Sequence, residues 1–515
     1  MLNDVGIQKT MESLANPLKV ILSIQEQLEK LDEEQRPIAS QIPSSPQRIR
    51  GLAGTGKTIL LAKRLAKIHA SHPEWKVAFV FFTQSLYDQI RERIYKEYLN
   101  KTDEEPNWDN INVFHAWGSS DRNGFYRNLA LACGKKPLSV KDVERELLHL
   151  QRNISPGEAF EYVCNRLEEE VPNIPVLYDA ILIDEGQDLP ASFYRLAWKT
   201  LSDAKRLYWA YDEAQGIGSL MVPTATEIFG LKPDGKLAVD LRGSAKNINV
   251  CYRTPKLLLM AAHAVNMGLF RKEGALQGVT DKQDWASLGY EVLEGDFTDA
   301  SVKAGKQVKI TRPDKFSPHP ADLKADLREA AGELLIIETF SDESEEIEWV
   351  SGSVASDIQR GLQPDHILIT AIKGKGNRSY FERLKAALSR RGVSSFIAGV
   401  DGNPDIFRLE GCVTICGIHS AKGNEAYKVY ACKFHNVTRP LVNPESDSRE
   451  RDEAELRKRN EAFVALTRSR IWCAVTGLED PIFDELRTAK SQSPNFIFPA
   501  FNQKSLKRVT SERQG

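Results

Sequence analysis

Gly51-Leu52-Ala53-Gly54-Thr55-Gly56-Lys57-Thr58 is the stretch on which the fold turns. It fits the pattern Gx4GK[ST]. Its small residues let the backbone N–H groups of Gly51, Ala53, Gly54, Thr55 and Gly56 turn toward phosphates. Lys57 brings positive charge to the β/γ oxygens, and Thr58 offers a hydroxyl to Mg²⁺. Such a loop needs a strand before it and a helix after it, whose positive end faces the anion. Gln47–Arg50 reads as the short strand, and Thr58 to Ala70 carries helical spacing. A nucleoside triphosphate and Mg²⁺ are therefore the expected substrate and cofactor.

Working outward, continuous apolar runs recur at Lys76–Phe82 (KVAFVFF), Tyr178–Ile183 (YDAILI) and Arg206–Ala210. Runs of this kind suit strands buried on both faces of a parallel sheet. Asp184 and Glu185 end the run YDAILI, which puts them at the carboxyl edge of such a sheet, where α/β ligands bind. There Asp184 would hold Mg²⁺, and Glu185 would act as general base on a water molecule. The alternation restarts with a strand at His366–Thr370, a helix at Tyr380–Arg391 and a strand at Val413–Cys416. Strands alternating with helices predict α/β architecture.

Other segments read differently. Residues 1–47 suggest one or two helices and a Pro/Ser-rich connector. Residues 119–175 are polar, rich in helix formers, and read as a helical insertion. Residues 280–345, with the Pro-rich loop RPDKFSPHPAD, follow neither pattern. From Thr488 the chain is basic and poor in apolar residues, the composition of a mobile tail.

At 515 residues the chain exceeds one domain. Apolar content of 41% and charged content of 27% mark a globular protein. No run spans a bilayer, and residues 1–17 lack a signal-peptide layout, so the expected compartment is the cytoplasm. Seven cysteines without a CxxC pair argue against a disulfide framework or zinc site. A net charge of −2 means that any nucleic-acid groove is local.

Taken in order, the motifs resemble those of superfamily-one helicases of the UvrD/Rep/PcrA kind, over most of the chain. LDEEQR is similar to the family's upstream glutamine motif, which implies that Gln35 reads adenine. FFTQSLYDQIRERI and VFHAWG resemble the first two nucleic-acid motifs and carry Phe82, Thr83, Phe114, His115 and Trp117. LIDEGQDL resembles the Walker B segment, with Gln187 and Asp188 kept. AYDEAQ resembles the third motif and implies that Gln215 senses the γ-phosphate. In CYRTP the resemblance implies that Tyr252 stacks on adenine and Arg253 touches the γ-phosphate. In ICGIHSAKGNE, His419 and Ser420 would face DNA, Gly423 would belong to the nucleotide site, and Glu425 would meet the ribose. FVALTRSR matches the sixth motif, with Arg468 as arginine finger. Independently of the family, Phe82, Phe114, His115 and Trp117 sit at predicted strand ends and could form a stacking platform for single strands.

Departures are equally visible. The family's arginine after GKT is Ile59, the asparagine before Tyr252 is Cys251, the leucine of KGLE is Asn424, and Gly218 stands where a stacking tyrosine would be. Residues 401–412 alone separate GVSSFIAGV from the next strand, where long helicases carry a large insertion.

The expected fold is α/β: two tandem RecA-like domains with ATP between them and a small helical insertion in the first. The expected boundaries are 1–118 with 176–248 for the first domain, 119–175 for the insertion, 249–487 for the second domain and 488–515 for the tail. The leading expectation is an ATP-dependent single-stranded DNA translocase or helicase, three-prime to five-prime, acting on single-stranded or partly duplex DNA in repair or defence. RNA stays open as a substrate. The alternative is a nucleotide-gated ATPase subunit that regulates a partner nuclease and unwinds little alone. A P-loop kinase or GTPase needs no late arginine motif and fits less well.

Overall fold

The apolar runs flanking the glycine loop form the middle of a parallel sheet. The computed structural model describes residues 16–34, 41–83, 86–118, 123–147, 155–216, 222–241, 243–402, 406–440 and 447–509. They fall into two units. The first holds the described residues of 35–52 and 56–248, the second those of 1–34, 53–55 and 249–511.

In the first unit β1 (Gln47–Gly51), β2 (Val77–Phe81), β3 (Ile111–His115), β4 (Tyr178–Ile183), β5 (Leu201–Tyr211) and β6 (Lys246–Ile248) lie in the order β3-β2-β4-β5-β1-β6. All five pairings are parallel. Side chains alternate between two cores, as the two-residue period of a strand requires. Val77, Phe79, Phe81, Ala180 and Leu182 join one core with Leu61, Leu65, Ile90 and Ile94, from the helices Lys57–Ser71 and Tyr87–Thr102. Ala78, Val80, Ile181 and Ile183 join the other with Phe125, Leu129, Phe160, Val163 and Phe193. A sheet covered on both faces explains why its strands read as unbroken apolar runs.

The described part of 119–175 contains the helices Phe125–Ala132, Val140–Glu146 and Pro156–Glu170. Ser139 and Ser155 cap the second and third, each in a reciprocal box with the acid three residues on. Phe160, Val163, Cys164 and Leu167 form a buried stripe at helical spacing. The segment is thus part of the core that covers one sheet face, which its polar composition concealed.

The second unit begins with helix Asn16–Glu34, whose Val20, Ile21, Ile24 and Leu28 enter a core with Leu327, Ala331, Ile369 and Tyr380. The expected first domain, 1–118 with 176–248, includes this helix, but its apolar stripe is buried in the second unit. β7 (Gln277–Gly278), β8 (Glu291–Glu294) and β9 (Gln307–Thr311) precede the main sheet. That sheet contains β10 (Leu335–Phe340), β11 (Ile367–Ala371), β12 (Ser395–Ile397), β13 (Val413–Gly417), β14 (Ala426–Cys432) and β15 (Ser469–Leu478). Their order is β10-β15-β14-β11-β13-β12, again all parallel. Each unit is a RecA-like α/β domain built on a six-stranded parallel sheet.

The segment from Thr488 is ordered as far as Val509, contrary to its basic composition. Helix Pro481–Gln492 runs into β16 (Asn495–Pro499), which pairs antiparallel with β9 and buries Phe496 and Phe498. β17 (Arg508–Val509) pairs with β7. Two buried phenylalanines at alternate strand positions outweigh the surrounding lysines. The last residues of the expected tail lie outside the described ones. Among the described residues no helix is long and apolar enough to cross a membrane.

Candidate functional site

β1 ends at Gly51 and the glycine loop leads into helix Lys57–Ser71. Gly56 caps that helix with φ 79°, a left-handed conformation that glycine adopts without a steric cost. Lys57 is buried. Its Nζ donates to the carbonyls of Gly51 (2.9 Å) and Leu52 (3.0 Å) and lies 3.9 Å from Asp212 Oδ2. Thr58 Oγ1 donates to Asp184 Oδ2 at 2.6 Å. Asp184 Oδ1 is buried with no hydrogen-bond partner. Burial, and then the adjacent Glu185 carboxylate, push the Asp184 pKa up. A buried carboxylate oxygen without a partner is costly, and a hard divalent cation is the group that would satisfy it. The oxygens of Thr58 and Asp184 therefore fit Mg²⁺.

Glu185 follows β4 in a left-handed conformation, φ 53°, unusual for a residue with a side chain. Gly186 permits the close approach behind it: Tyr194 Oη donates to its carbonyl at 2.8 Å, and a Cβ there would lie 2.3 Å from that hydroxyl. Gln187 then bridges two motifs. Its Nε2 donates to Glu185 Oε2 at 2.5 Å, and its Oε1 accepts from the Asp212 N–H at 3.0 Å. Asp212, just past β5, accepts from Ala214 N–H (3.0 Å) and from Gln215 Nε2 (2.7 Å). A polar network thus joins Glu185, Gln187, Asp212, Gln215 and Lys57 within the first unit. Gln187 stands in the Walker B-like segment and Asp212 in the third motif, neither with a role that the motif pattern assigns. The two are 25 positions apart, and no motif spacing reports a contact of that range.

Ala53, Gly54 and Thr55 group with the second unit. There the Gly54 carbonyl accepts from the N–H groups of Tyr252 (3.3 Å) and Arg253 (3.2 Å). Gly54 has φ 70°, and a Cβ would meet Thr254 Oγ1 at 2.8 Å. Arg253 lies 3.4 Å from Glu425 Oε2, and Arg470 Nε donates to the same oxygen at 2.9 Å. Arg468 is buried at the end of helix Ser448–Thr467, with Nε on the Val464 carbonyl at 3.1 Å. Glu425 and Arg468 come together because β14 and β15 start side by side, Ala426 opposite Ser469. His419 and Ser420 lie after β13, at the opposite edge of the sheet, with His419 exposed. Gly423 takes φ 79° in the intervening connection. Asn424, where the family has leucine, donates to the Ser420 carbonyl at 2.9 Å and so fastens this turn. Tyr252 is 2% exposed and belongs to the core that includes Val20 and Ile21, so its expected stacking face is covered. Gln35 and Gly218 lie outside the described residues.

The expected aromatic platform is only partly available. Phe114 and Trp117 are core residues, 5% and 6% exposed, in the cluster of Phe125 and Phe160. Trp117 Nε1 donates to the Leu138 carbonyl at 2.8 Å, and its ring lies 5.3 Å from that of Phe160. The helices of 125–170, read from sequence as an insertion, cover these rings. Phe82, Thr83 and His115 remain half-exposed, with the Phe82 and His115 rings stacked at 5.5 Å. His115 Nε2 donates to the Phe82 carbonyl at 2.7 Å, while Nδ1 accepts from the N–H groups of Trp117 (3.1 Å) and Gly118 (3.2 Å), which fixes the tautomer. Trp117→Ala should accordingly cost about 3–5 kcal/mol of stability in a denaturant titration. Native-like stability with lost single-strand affinity would return Trp117 to the binding surface.

Comparison with known proteins adds the following. A family model described as the res subunit of type III restriction enzymes matches residues 24–125, which include the glycine loop. No curated protein matches the sequence. Among solved structures, the chain is similar to the C-terminal domain of a possible DNA helicase from Lactobacillus plantarum WCFS1, at 15% identity and TM-score 0.21, covering 34% of this chain and 83% of that one. It is also similar to Mss116p bound to single-stranded RNA and AMP-PNP, at 12% identity and TM-score 0.39, covering 92% and 72%. These matches do not single out the UvrD/Rep/PcrA branch.

Proposed function

We propose that this protein is an ATP- and Mg²⁺-dependent motor on single-stranded nucleic acid. The observation that carries the reading is the coupling of a phosphate-type site to the third motif. Thr58 and Asp184 offer oxygens for a cation, and Gln187 and Asp212 link Glu185 to Gln215. Bound Mg²⁺ would neutralise charge on the β/γ oxygens. Glu185 accepts a proton from the attacking water as its oxygen bonds the γ-phosphorus and the bond to the β-phosphate oxygen breaks. Gln187 fixes the Glu185 carboxylate so that one lone pair faces that water. Lys57, Arg253 and Arg468 supply cations to the migrating phosphoryl group. Gln215 senses the γ-phosphate, and Phe82, Thr83, His115, His419 and Ser420 are the proposed nucleic-acid contacts. Within the resemblance to superfamily-one helicases, the polarity is three-prime to five-prime, the substrate DNA, the compartment cytoplasmic and the setting repair or defence.

A strand-displacement assay tests this. Duplexes with a three-prime single-stranded tail should be separated with ATP, and those with a five-prime tail should not. A second reading, an ATPase subunit serving a partner nuclease, draws on the match to a restriction-enzyme subunit over residues 24–125. It is favoured if the purified chain hydrolyses ATP yet separates neither duplex.

A further inference from the structure

We propose that Glu425 is a positioning residue that holds Arg253 and Arg470 as a pair directed at the triphosphate, and that Arg470 is a phosphate-directed cation in its own right. The inference rests on the reading of an ATP site and deepens it. It departs from the ribose contact that the helicase resemblance implies for Glu425.

One carboxylate oxygen carries the argument. Glu425 Oε2 accepts from Arg470 Nε at 2.9 Å and faces Arg253 Nη1 at 3.4 Å. Lone pairs committed to two guanidinium groups are not available to a sugar hydroxyl on that oxygen. Burial alone would push the Glu425 pKa up; Arg470, Arg253 and Arg468 instead hold it at about 2, so the carboxylate stays charged at any working pH. Arg408 donates to the Glu425 carbonyl, adding a fourth cation to the neighbourhood. Four arginines outnumber the two carboxylates among them, Glu425 and the Asp365 beside Arg408, and leave a net positive neighbourhood, suited to a polyanion and not to a neutral ribose.

The arginines are also fixed from behind by a segment that followed no pattern in the sequence. His319 is fully buried and its Nε2 donates to the Arg470 carbonyl at 2.9 Å, while its Nδ1 accepts from the Ala321 N–H. Buried Arg312 donates to the carbonyls of Asn249 and Phe316, both at 2.8 Å. The Phe316 carbonyl in turn accepts from the Cys251 N–H at 2.9 Å, two residues before Arg253. Backbone bracing behind each arginine and one shared carboxylate between them describe a preorganised cation pair. Arg468 closes the helix Ser448–Thr467 and Arg470 lies on β15 two residues later, so one turn of chain carries both guanidinium groups to Glu425.

The test is steady-state hydrolysis of ATP, 2′-deoxy-ATP and 3′-deoxy-ATP by wild type, Glu425→Gln, Glu425→Asp and Arg470→Ala. Glu425→Gln keeps the shape and removes the charge. It should lower kcat by about 100-fold for all three nucleotides alike, the cost of misplacing a reacting partner by about 1 Å. The KM ratios between nucleotides should not move. Glu425→Asp should recover part of the loss, and Arg470→Ala should lower kcat by about 10-fold. Unchanged kcat in Glu425→Gln overturns the inference. So does retained kcat with lost discrimination between ATP and its deoxy forms, since that is the signature of a ribose contact. Failure of the underlying reading looks different: the wild-type chain itself hydrolyses none of the three, and the inference falls with it.

Discussion

Glu185→Gln should lower kcat for ATP hydrolysis by about 10²–10⁴-fold while ATP binding persists. The substitution keeps the side chain's size and its oxygen acceptor. Gln187 Nε2, now 2.5 Å from Glu185 Oε2, can donate to the new amide oxygen, and the link to Asp212 survives. What disappears is the basic oxygen that takes the proton from water. Asp184 and Thr58 are untouched, so the cation site and nucleotide affinity should remain. Binding of a fluorescent ATP analogue, measured beside turnover, separates the two effects. Near-normal turnover would mean that another residue is the base.

Lys57→Ala should lower kcat/KM by about 10³-fold or more, since it removes an ammonium directed at the phosphates as well as a binding contact. In the folded protein that ammonium donates to Gly51 and Leu52 and faces Asp212. Its loss takes a donor from two buried carbonyls and a cation from beside Asp212, at a stability cost of about 1–3 kcal/mol. A thermal melt shows whether the variant stays folded. A folded variant with normal kcat/KM would remove the glycine loop from the chemistry.

Legibility in the sequence followed how local each feature is. YDAILI became β4 at Tyr178–Ile183 and KVAFVFF contains β2, because burial on both faces leaves an unbroken apolar run. The glycine loop, its strand and its helix were legible for the same reason: every determinant lies within a few residues. Tertiary cover was not legible. Phe114 and Trp117 stand at a strand end that looks exposed until the rings of Phe125 and Phe160 are packed over it. The stripe of helix Asn16–Glu34 shows that it must be buried but not by which unit. Residues 280–345 were opaque because they form short elements, such as Glu291–Glu294 and Asp299–Lys303, too brief to show a period. Gln187, Asp212 and Arg470 acquire their interest from partners distant in sequence. All three stand in quoted motifs, Gln187 in LIDEGQDL, Asp212 in AYDEAQ and Arg470 as the second arginine of TRSR, but the motifs show none of these contacts.

The most direct measurement of the central claim is ATP hydrolysis by the purified chain with and without single-stranded DNA, and again with single-stranded RNA, beside Lys57→Ala. A nucleic-acid motor predicts strong stimulation by at least one of the two polymers and none in the variant. Hydrolysis that is indifferent to both polymers would contradict the motor and leave an ATPase governed by a protein partner.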